Sequence, residues 1–328
     1  PSLVGSEMCI RDSYNNTQET LVVGKEYVIT TYNIGFGAYN HDFSFFMDQG
    51  KMLSGEKVKG KLSKATSKEI VLTNTRGAIE EITAFNPDFA FFQEVDTNST
   101  RSFQVNQFKM LQESLAKMAS VHVSNFHSAY LFYPILDPHG VVNSGIATFS
   151  KYKIDKVIRK SLEITDAFPS KFFDLDRCFS ASYLKTNHDN YLVIVNVHLS
   201  AYDKGGVYRK KQLQQLNSFL EVEYQKGNYV VCGGDFNHDI ANSMYVFETK
   251  QEKPEWVYAL NNDDLNENFS FATNNNIPTC RSTDMPYEKN VNYTVVLDGF
   301  IVSKNVDVIM VENVDTNFEY SDHNPAVS

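Results

Sequence analysis

Short apolar segments recur along the chain and predict buried β-strands, because strands covered on both faces read as near-continuous hydrophobic runs. These segments are rich in Val, Ile, Phe and Tyr and do not strictly alternate with polar residues. They cover residues 27–33, 89–95, 144–150, 179–186, 191–199, 229–236 and 293–302. The polar sequence "NHDN" separates the fourth and fifth segments and predicts a turn between two neighbouring strands.

Two other segments have the periodicity of amphipathic helices. The first opens with a capping-box pattern, Thr66 followed by Glu69, and Pro87 bars its continuation. The second covers about residues 207–224 and carries its leucines on one face. Helices and strands therefore alternate in places, which favours an α/β fold with mixed, layered sheets over a uniform doubly wound sheet.

Length and composition are compatible with one large domain. The chain has 328 residues, of which 42% are hydrophobic, and it contains no linker, charge block or repeat that would divide it. We predict a single domain over residues 26–328, preceded by a lead-in at 14–25. Residues 1–13 resemble a translated sequencing adapter and are set aside as non-structural. Apolar residues are only resuming in "SDHNPAVS", so we expect a truncated last strand.

Charge and cysteine content narrow the function classes. The formal net charge of −10 argues against a broad basic face for nucleic acid or an anionic membrane. A phosphate-ester substrate stays compatible with it, because a bound cation would reverse the sign locally. Cys178, Cys232 and Cys280 are widely spaced, which argues against a disulfide framework. No run reaches the roughly 18 apolar residues that a membrane span requires.

Polar residues stand at or near the carboxyl ends of five predicted strands. They are Asn33, Glu94, His198, Asp235 with Asn237, and Asp298. Singly, Asp and Asn at strand ends usually serve turns or helix caps. Because ligands of open α/β sheets gather outside the carboxyl ends of strands, we expect these side chains to converge on one crevice.

The residue types at these ends suit water activation beside a hard cation. Asp235 and Asn237 point the same way in extended chain, so a carboxylate that deprotonates water and an amide that donates to a charged oxygen would face one centre. Glu94, with an oxygen from Asn33, is a candidate ligand of Mg²⁺. The alternative for Glu94 is a surface carboxylate at the start of a loop.

Asp298 interrupts an apolar run, so its buried carboxylate needs a partner. His198 and His323 are the candidates, since an Asp that fixes an imidazole tautomer is a recurring acid–base device. An isolated His is more often a core or surface residue. Asp322 and His323 are neighbours, and a regular strand would point them to opposite faces, so we expect a loop there.

Basic residues are candidates for phosphate binding. Arg177 immediately precedes a strand, and its guanidinium suits a phosphate. A salt bridge with Asp174 or Asp176 is an equal alternative. Arg281 is a weaker candidate for contact with the substrate, and a surface position is the favoured alternative. The run Arg209–Lys211 on the second helix is predicted to be solvated.

The motifs "TYNI", "FFQEVD", "NSGIATFSKY", "NVHLS", "GGDFN", "VLDGFIVS" and "SDHNP", in this order, resemble the endonuclease/exonuclease/phosphatase superfamily. Its members include pancreatic-type deoxyribonucleases, abasic-site endonucleases, neutral sphingomyelinases and inositol polyphosphate 5-phosphatases. The resemblance covers about residues 26–327, and the combination is specific although each motif alone is weak. It implies a deoxyribonuclease I-like four-layer sandwich of two packed mixed β-sheets flanked by helices, with the site at one end.

The resemblance also implies metal-binding and substrate-binding roles. Glu94 would ligate Mg²⁺ or Mn²⁺, with Asn33 helping to place metal and phosphate. Asp322 would lie near that metal or a second one. Arg177 matches a phosphate-binding position, and Asn143 of "NSGI" matches a position that lines the substrate groove.

The implied catalytic roles fall on the remaining matched residues. Asp235 would orient the attacking water, and Asn237 would stabilise the phosphorane-like transition state. Asp298 would pair with His323, and His198 would act as an acid or a phosphate ligand.

The predicted function is hydrolysis of a phosphodiester or phosphomonoester by in-line attack of water, dependent on a divalent metal. The substrate is a nucleic acid, a phospholipid or an inositol phosphate; no obligate protein partner is inferred, and a monomer is expected. His198 stands where abasic-site endonucleases have Tyr, and Gly35 where they have an acidic residue, which favours the other branches. The alternative is a catalytically silent binding protein on the same fold.

Localisation depends on residues that precede the domain. The segments "FSFFMDQGKMLSGEKVKG" and "DTNSTRSFQVNQ" resemble bacterial members that often carry an N-terminal membrane segment. Such a segment would anchor the domain outside the cytoplasmic membrane, and without it the domain would be cytoplasmic.

Overall fold

The computed structural model describes residues 7–10, 13–16, 19–132, 134, 137–164, 176–201 and 207–328. Within these ranges the helices are Lys68–Thr83 (α1), Gln107–Ser114 (α2) and Val207–Gln225 (α3). The first strands are Glu7–Ile10 (β1), Ile29–Asn33 (β2), Gln49–Lys51 (β3), Lys57–Lys59 (β4), Phe89–Asp96 (β5), Ala119–Leu131 (β6), Gly140–Ser150 (β7), Lys156–Ser161 (β8) and Cys178–Lys185 (β9). The later strands are Tyr191–His198 (β10), Tyr229–Asp235 (β11), Phe269–Ala272 (β12), Cys280–Arg281 (β13), Thr294–Val295 (β14), Asp298–Ser303 (β15), Glu312–Asn313 (β16) and Ala326–Val327 (β17).

The strands build two large mixed sheets. The first has the order β1-β8-β9-β10-β11-β15-β12, in which β10 and β11 run parallel. The second has the order β16-β17-β2-β5-β7-β6, in which β2 and β5 run parallel. The remaining neighbours within both sheets are antiparallel. Each sheet therefore contains one parallel pair whose carboxyl ends share an edge.

Alternation along the strands creates the layers. On β10, Val193, Val195 and Val197 pack into a cluster with the apolar face of α3, while Ile194 packs between the sheets with Phe91 of β5. On the far side of the second sheet, Ala90 and its neighbours pack with apolar residues of α1 and α2. The predicted four-layer arrangement of two mixed sheets flanked by helices is confirmed.

A buried polar network also joins the two sheets. The Gln93 amide of β5 donates to Thr31 Oγ1 of β2 at 3.1 Å and to Asn196 Oδ1 of β10 at 2.8 Å. Asn196 Nδ2 donates in turn to the Ala147 carbonyl at 2.9 Å. Because buried amides cost free energy unless they are paired, this network fixes how the sheets face each other.

Two local predictions were wrong. Helix α1 is capped by Ser67, whose hydroxyl accepts from the Ile70 N–H at 3.2 Å, and not by Thr66. The predicted strand 293–302 is two strands, β14 and β15, which belong to different sheets. An apolar run alone does not reveal a change of sheet, since both pieces are buried.

The ends of the described chain also form strands. Residues 7–10, which the sequence analysis set aside, pair with β8 at a sheet edge. Ala326–Val327 pair antiparallel with β2 and with β16. The adapter origin, the domain bounds and the truncated last strand stay predictions. Among the described residues, no helix is long and apolar enough to cross a membrane.

Candidate active site

The parallel pairs in the two sheets bring their strand ends to one rim. His198 and Asp235, the last residues of β10 and β11, are register partners. Asp298 is the first residue of β15 and not the middle of a strand, yet it pairs with Asp235 because β15 runs antiparallel to β11. Asn33 ends β2 in the facing sheet. The predicted convergence is therefore observed, with Asp298 arriving from the opposite strand direction.

Asp235 is the centre of this group. Its side chain is only 1% exposed, and its Oδ2 accepts from Asn33 Nδ2 at 3.0 Å. The same oxygen lies 3.4 Å from His198 Nε2 and 3.6 Å from His323 Nε2. Its Oδ1 accepts from the Asn237 N–H at 2.8 Å. One buried carboxylate thus contacts groups from four separate parts of the chain.

Asp298 and His323 form the predicted pair. His323 Nδ1 lies 2.7 Å from Asp298 Oδ2, and both side chains are buried. Burial lowers the pKa of His323, but Asp298, with Cys280 and Asp235 adding to it, raises the pKa well above the usual value of histidine. His323 therefore carries a positive charge at neutral pH, held by Asp298.

The pKa values of the neighbouring titratable groups are shifted in different directions. Burial raises the pKa of Asp235 to about 6, although His323 opposes the shift. Burial, followed by Arg177 and His323, lowers the pKa of His198 well below the usual value, so this imidazole is neutral. A carboxylate that titrates near neutrality beside one charged and one neutral imidazole suits proton transfer from water.

Asn237 is held in place by its backbone and by a helix residue that the sequence analysis assigned to solvent. Asn237 has a φ of 49°, and its amide donates to the Leu199 carbonyl at 2.8 Å. Arg209 of α3 is buried and donates to the carbonyls of Asn237 and Trp256 at 3.1 and 2.9 Å. The prediction of a solvated Arg209 was wrong, because the first turn of α3 packs against this loop.

Glu94 enters the site through a distortion of β5. The register between β5 and β7 shifts between Phe92 and Val95, and Glu94 has a φ of 54°. Such a bulge turns a side chain out of the regular alternation, and left-handed backbone in a non-glycine residue commonly marks functional sites. Glu94 consequently faces Asn33, whose Nδ2 lies 3.4 Å from Glu94 Oε1.

Two sets of residues offer ligand atoms for a divalent cation. Asp235, Asp298 and His323 have ligand atoms within 4.8 Å of one another, but a metal at His323 would compete with its proton and its bond to Asp298. Glu94 offers oxygen together with Asn33, whose Oδ1 accepts one N–H within the described ranges, from Gly35 at 3.0 Å. The pKa of Glu94 is raised above its usual value. Burial is the main cause and nearby Asp322 adds to it, while Arg101 opposes the shift. These crowded oxygens fit a hard cation better.

Asp322 lies in the loop that was predicted for "SDHN". Ser321 Oγ donates to its carboxylate at 3.3 Å, and the Arg281 N–H donates to its carbonyl at 3.0 Å. Arg281 itself is only 2% exposed and lines the cleft above the site, so its prediction as a surface residue was wrong. Its guanidinium donates to the Asn40 carbonyl at 3.2 Å, which ties down the loop after β2.

The cleft is lined by the predicted Glu94, Arg177, His198, Asp235, Asn237, Asp322 and His323. Arg177 is buried in its wall and close enough to lower the pKa values of both Glu94 and His198. Asp174, one of its predicted alternative partners, lies outside the described residues. Asn143 is not part of the cleft wall; its amide donates to the Asn98 carbonyl at 2.6 Å instead. Because side chains alternate between the two faces of β7, the neighbouring Ser144 lines the cleft instead.

Sequence reasoning missed several residues of the cleft wall. They include Phe36, Arg101, Asn125, Phe126, Ser144 and Trp256. Arg101 is paired with Asp96 through two hydrogen bonds of 3.0 and 2.8 Å. Asn125 lies on β6, where Val121 and Val123 alternate with polar residues; this period-2 pattern was the available signal.

Comparisons with known proteins show one similar sequence and several similar folds. The curated "Inositol phosphosphingolipids phospholipase C" of Schizosaccharomyces pombe is 24% identical over 245 residues, which cover 65% of this chain and 58% of that protein. The chain thus spans less than two thirds of that relative. The endonuclease/exonuclease/phosphatase from Beutenbergia cavernae DSM 12333 has a similar structure, with a TM-score of 0.55, 14% identity, and coverage of 92% of this chain and 70% of that one. D. rerio TDP2, in a complex with a single-strand DNA product, gives a TM-score of 0.52, 12% identity, and coverage of 92% and 97%.

These structural similarities show the fold, and the family follows from the sequence. The profile of the Endonuclease/Exonuclease/phosphatase family matches residues 30–323, which is most of the chain. That range contains the candidate catalytic and metal-binding residues. Members of this family are phosphoesterase hydrolases that generally depend on a divalent metal. The chain belongs to the Endonuclease/Exonuclease/phosphatase family.

Proposed function

We propose that the chain hydrolyses a phosphodiester by in-line attack of water, assisted by Mg²⁺ or Mn²⁺. The observation that supports this most directly is the environment of Asp235. Its buried carboxylate contacts Asn33, His198 and His323 at the base of a cleft. A carboxylate with a pKa of about 6 is suited to accept a proton from water near neutral pH.

The side chains divide the work of the reaction. Asp235 orients the attacking water and takes its proton while the new bond to phosphorus forms. The bond to the leaving oxygen breaks, and that oxygen takes a proton from solvent to give the alcohol. Asn237 and neutral His198 donate hydrogen bonds to the phosphate oxygens, on which charge accumulates. The His323 imidazolium, held by Asp298, balances the negative charge of the same oxygens.

Glu94, Asn33 and Asp322 are the residues that would hold the metal. When bound, a divalent cation neutralises charge on a phosphate oxygen and polarises it. With this cation bound, the negative groups around Glu94 would also be compatible with an anionic substrate.

For the substrate we propose a phospholipid-type phosphodiester. The sequence similarity to a protein named for inositol phosphosphingolipids supports this class, and the net charge of −10 disfavours a long nucleic acid. A nuclease is the second candidate, and it would lose binding steeply as salt is added. We further propose a monomer without an obligate protein partner. For localisation, an anchored extracellular domain is proposed over a cytoplasmic one, on the strength of the bacterial resemblance.

The test is hydrolysis of ceramide phosphoinositol, sphingomyelin, single-stranded DNA and RNA with Mg²⁺, Mn²⁺ or chelator. Glu94→Gln should abolish activity and weaken Mg²⁺ binding in isothermal titration, whereas the exposed Asp263→Asn should change neither. Unchanged hydrolysis in Glu94→Gln would overturn the proposed metal site. Substrate binding without turnover, in the presence of bound metal, would favour the catalytically silent alternative.

A further inference from the structure

The cleft wall next to Glu94 contains a second β-bulge. The register between β6 and β7 shifts between Ser124 and Phe126, so Asn125 is the extra residue. Ser124 pairs with Gly145 of β7, and on the other side of β7 Gly145 pairs with Val95, just after Glu94. Two bulges therefore flank one glycine, and each delivers a polar side chain, Glu94 or Asn125, to the same cleft.

Gly145 has no room for a side chain at this point. A Cβ there would lie 2.4 Å from the Val123 carbonyl oxygen and 2.6 Å from the His122 ring. Strands β6 and β7 thus approach closely where both bulges sit. The bulge also interrupts alternation on β6, so Asn125 and Phe126, though consecutive, are both buried in the cleft wall.

Asn125 and Ser144 are buried polar residues whose hydrogen bonding is incomplete. Each is 2% exposed, and Phe126 beside Asn125 is the register partner of Ser144. Neither Asn125 Nδ2 nor Ser144 Oγ has a hydrogen-bond partner within the described part of the chain. Such groups cost roughly 1–3 kcal/mol when left unpaired, and this cost is offset if a ligand completes their hydrogen bonds.

The neighbouring charges indicate which ligand group these atoms suit. The guanidinium of Arg101 is engaged by Asp96. Arg177 and His198 line the same cleft and are the donors proposed for the phosphate itself. A carboxamide and a hydroxyl together both donate and accept, whereas phosphate oxygens only accept. A substrate hydroxyl, which also does both, is their natural complement.

We propose that Asn125 and Ser144 form a subsite for a hydroxyl group of the substrate headgroup, beside the scissile phosphate. The inference rests on the proposed function and deepens it: the site selects phosphodiesters whose headgroup carries free hydroxyls. Asn125 and Ser144 then set specificity and act mainly on substrate binding.

The test compares two lipids that share a ceramide and differ in headgroup, ceramide phosphoinositol and sphingomyelin, in identical mixed micelles. Asn125→Leu should lower kcat/KM for the inositol lipid about tenfold, chiefly through KM, and leave the choline lipid within twofold. Ser144→Ala should act in the same direction, and exposed Ser124→Ala should have no effect. Equal losses on both lipids, or a loss on neither, would overturn the proposal.

A stability measurement separates this role from a structural one. Asn125→Leu removes a buried amide whose Nδ2 has no partner in the described part of the chain. Its Tm should therefore equal or exceed that of the parent chain. A Tm lower by more than a few degrees would show that Asn125 supports the fold and would count against the subsite.

Binding distinguishes failure of this proposal from failure of the proposed function. Absence of turnover on every ester would reject the function alone. In that case myo-inositol 1-phosphate should still raise the Tm of the full chain more than phosphocholine does, and Asn125→Leu should remove the difference. Equal Tm shifts from the two phosphates would overturn the subsite.

Discussion

At the residue scale, the site depends on pairs of titratable groups that shift each other's pKa. Asp298 is buried, and its carboxylate lies at hydrogen-bond distance from His323. A charged imidazole in such a place is stable only while its carboxylate remains. Asp298 is therefore needed to keep His323 charged and in the orientation that serves the phosphate.

Asp298→Asn should lower kcat by about 10²- to 10⁴-fold, since an amide neither balances the imidazolium nor fixes the same tautomer. The measurement is steady-state hydrolysis, with exposed Asp307→Asn as the matched control. Retention of more than half of the activity in Asp298→Asn would refute the assigned pairing.

The need of Asp298 for a partner could be predicted from sequence because a carboxylate inside an apolar run needs a counter-group. That argument left His198 and His323 open, and the family resemblance implied His323. The backbone of Glu94 could not be predicted, since "FFQEVD" reads as a regular strand and nothing local announces its left-handed φ. Asn143 was predicted to line the substrate groove, but it does not line the cleft. Sequence alone does not show which face of β7 is turned toward the site, and the structure gives that face to Ser144.

His139 gives a residue-scale prediction for pH. Burial, with Arg101 opposing its charged form, lowers the pKa of His139 to about 4 from the usual 6.5. Between these values the unfolded chain takes up a proton that the folded chain does not, so stability should fall as pH drops from about 6.5 to 4. At about pH 4, the neutral burial of His139 therefore lowers the free energy of unfolding by about 3 kcal/mol.

Urea unfolding of His139→Gln at several pH values tests this. The free energy of unfolding should decline less steeply below pH 6.5 in the variant than in the parent chain. Exposed His188→Gln should retain the parent slope. An identical slope in His139→Gln would contradict the assignment.

At the element scale, α3 does more than cover the first sheet. Its leucines pack on β10 as the periodicity predicts, but its first turn sends Arg209 under the loop that carries Asn237. Amphipathic periodicity identifies which face of a helix meets the sheet. It does not reveal what lies beyond the helix end, where a basic residue can donate to loop carbonyls.

Arg209→Met keeps the length of the side chain and removes its donors. We expect a loss of about 1–3 kcal/mol in the free energy of unfolding and a fall in kcat/KM of roughly tenfold, because the Asn237 loop loses its support. Arg209→Lys should recover part of both, and exposed Lys210→Met should change neither. Full activity in Arg209→Met would show that the loop holds its conformation unaided.

At the scale of the whole molecule, the site is split between two sheets. Asn33 and Glu94 come from one sheet, while His198, Asp235 and Asp298 come from the other. The two halves meet only if the sheets keep their relative position. The buried Gln93–Asn196 hydrogen bond lies directly between them and is suited to that task.

A double-mutant cycle measures this link. Gln93→Leu and Asn196→Leu should each cost about 2–4 kcal/mol, because each leaves buried polar partners unpaired. The double variant should cost clearly less than the sum, since apolar groups then face each other. Additive costs would mean that the hydrogen bond does not couple the sheets.

The most direct test of the whole account is hydrolysis in H₂¹⁸O by the parent chain and by Asp235→Asn, with Mg²⁺ present. Water attack directed by Asp235 predicts one ¹⁸O in the phosphate-bearing product and none in the released alcohol. It also predicts a loss of at least about 10³-fold in rate for Asp235→Asn, the order expected when a catalytic base is removed. Label in the alcohol, or a variant as fast as the parent chain, would contradict water attack on phosphorus directed by Asp235.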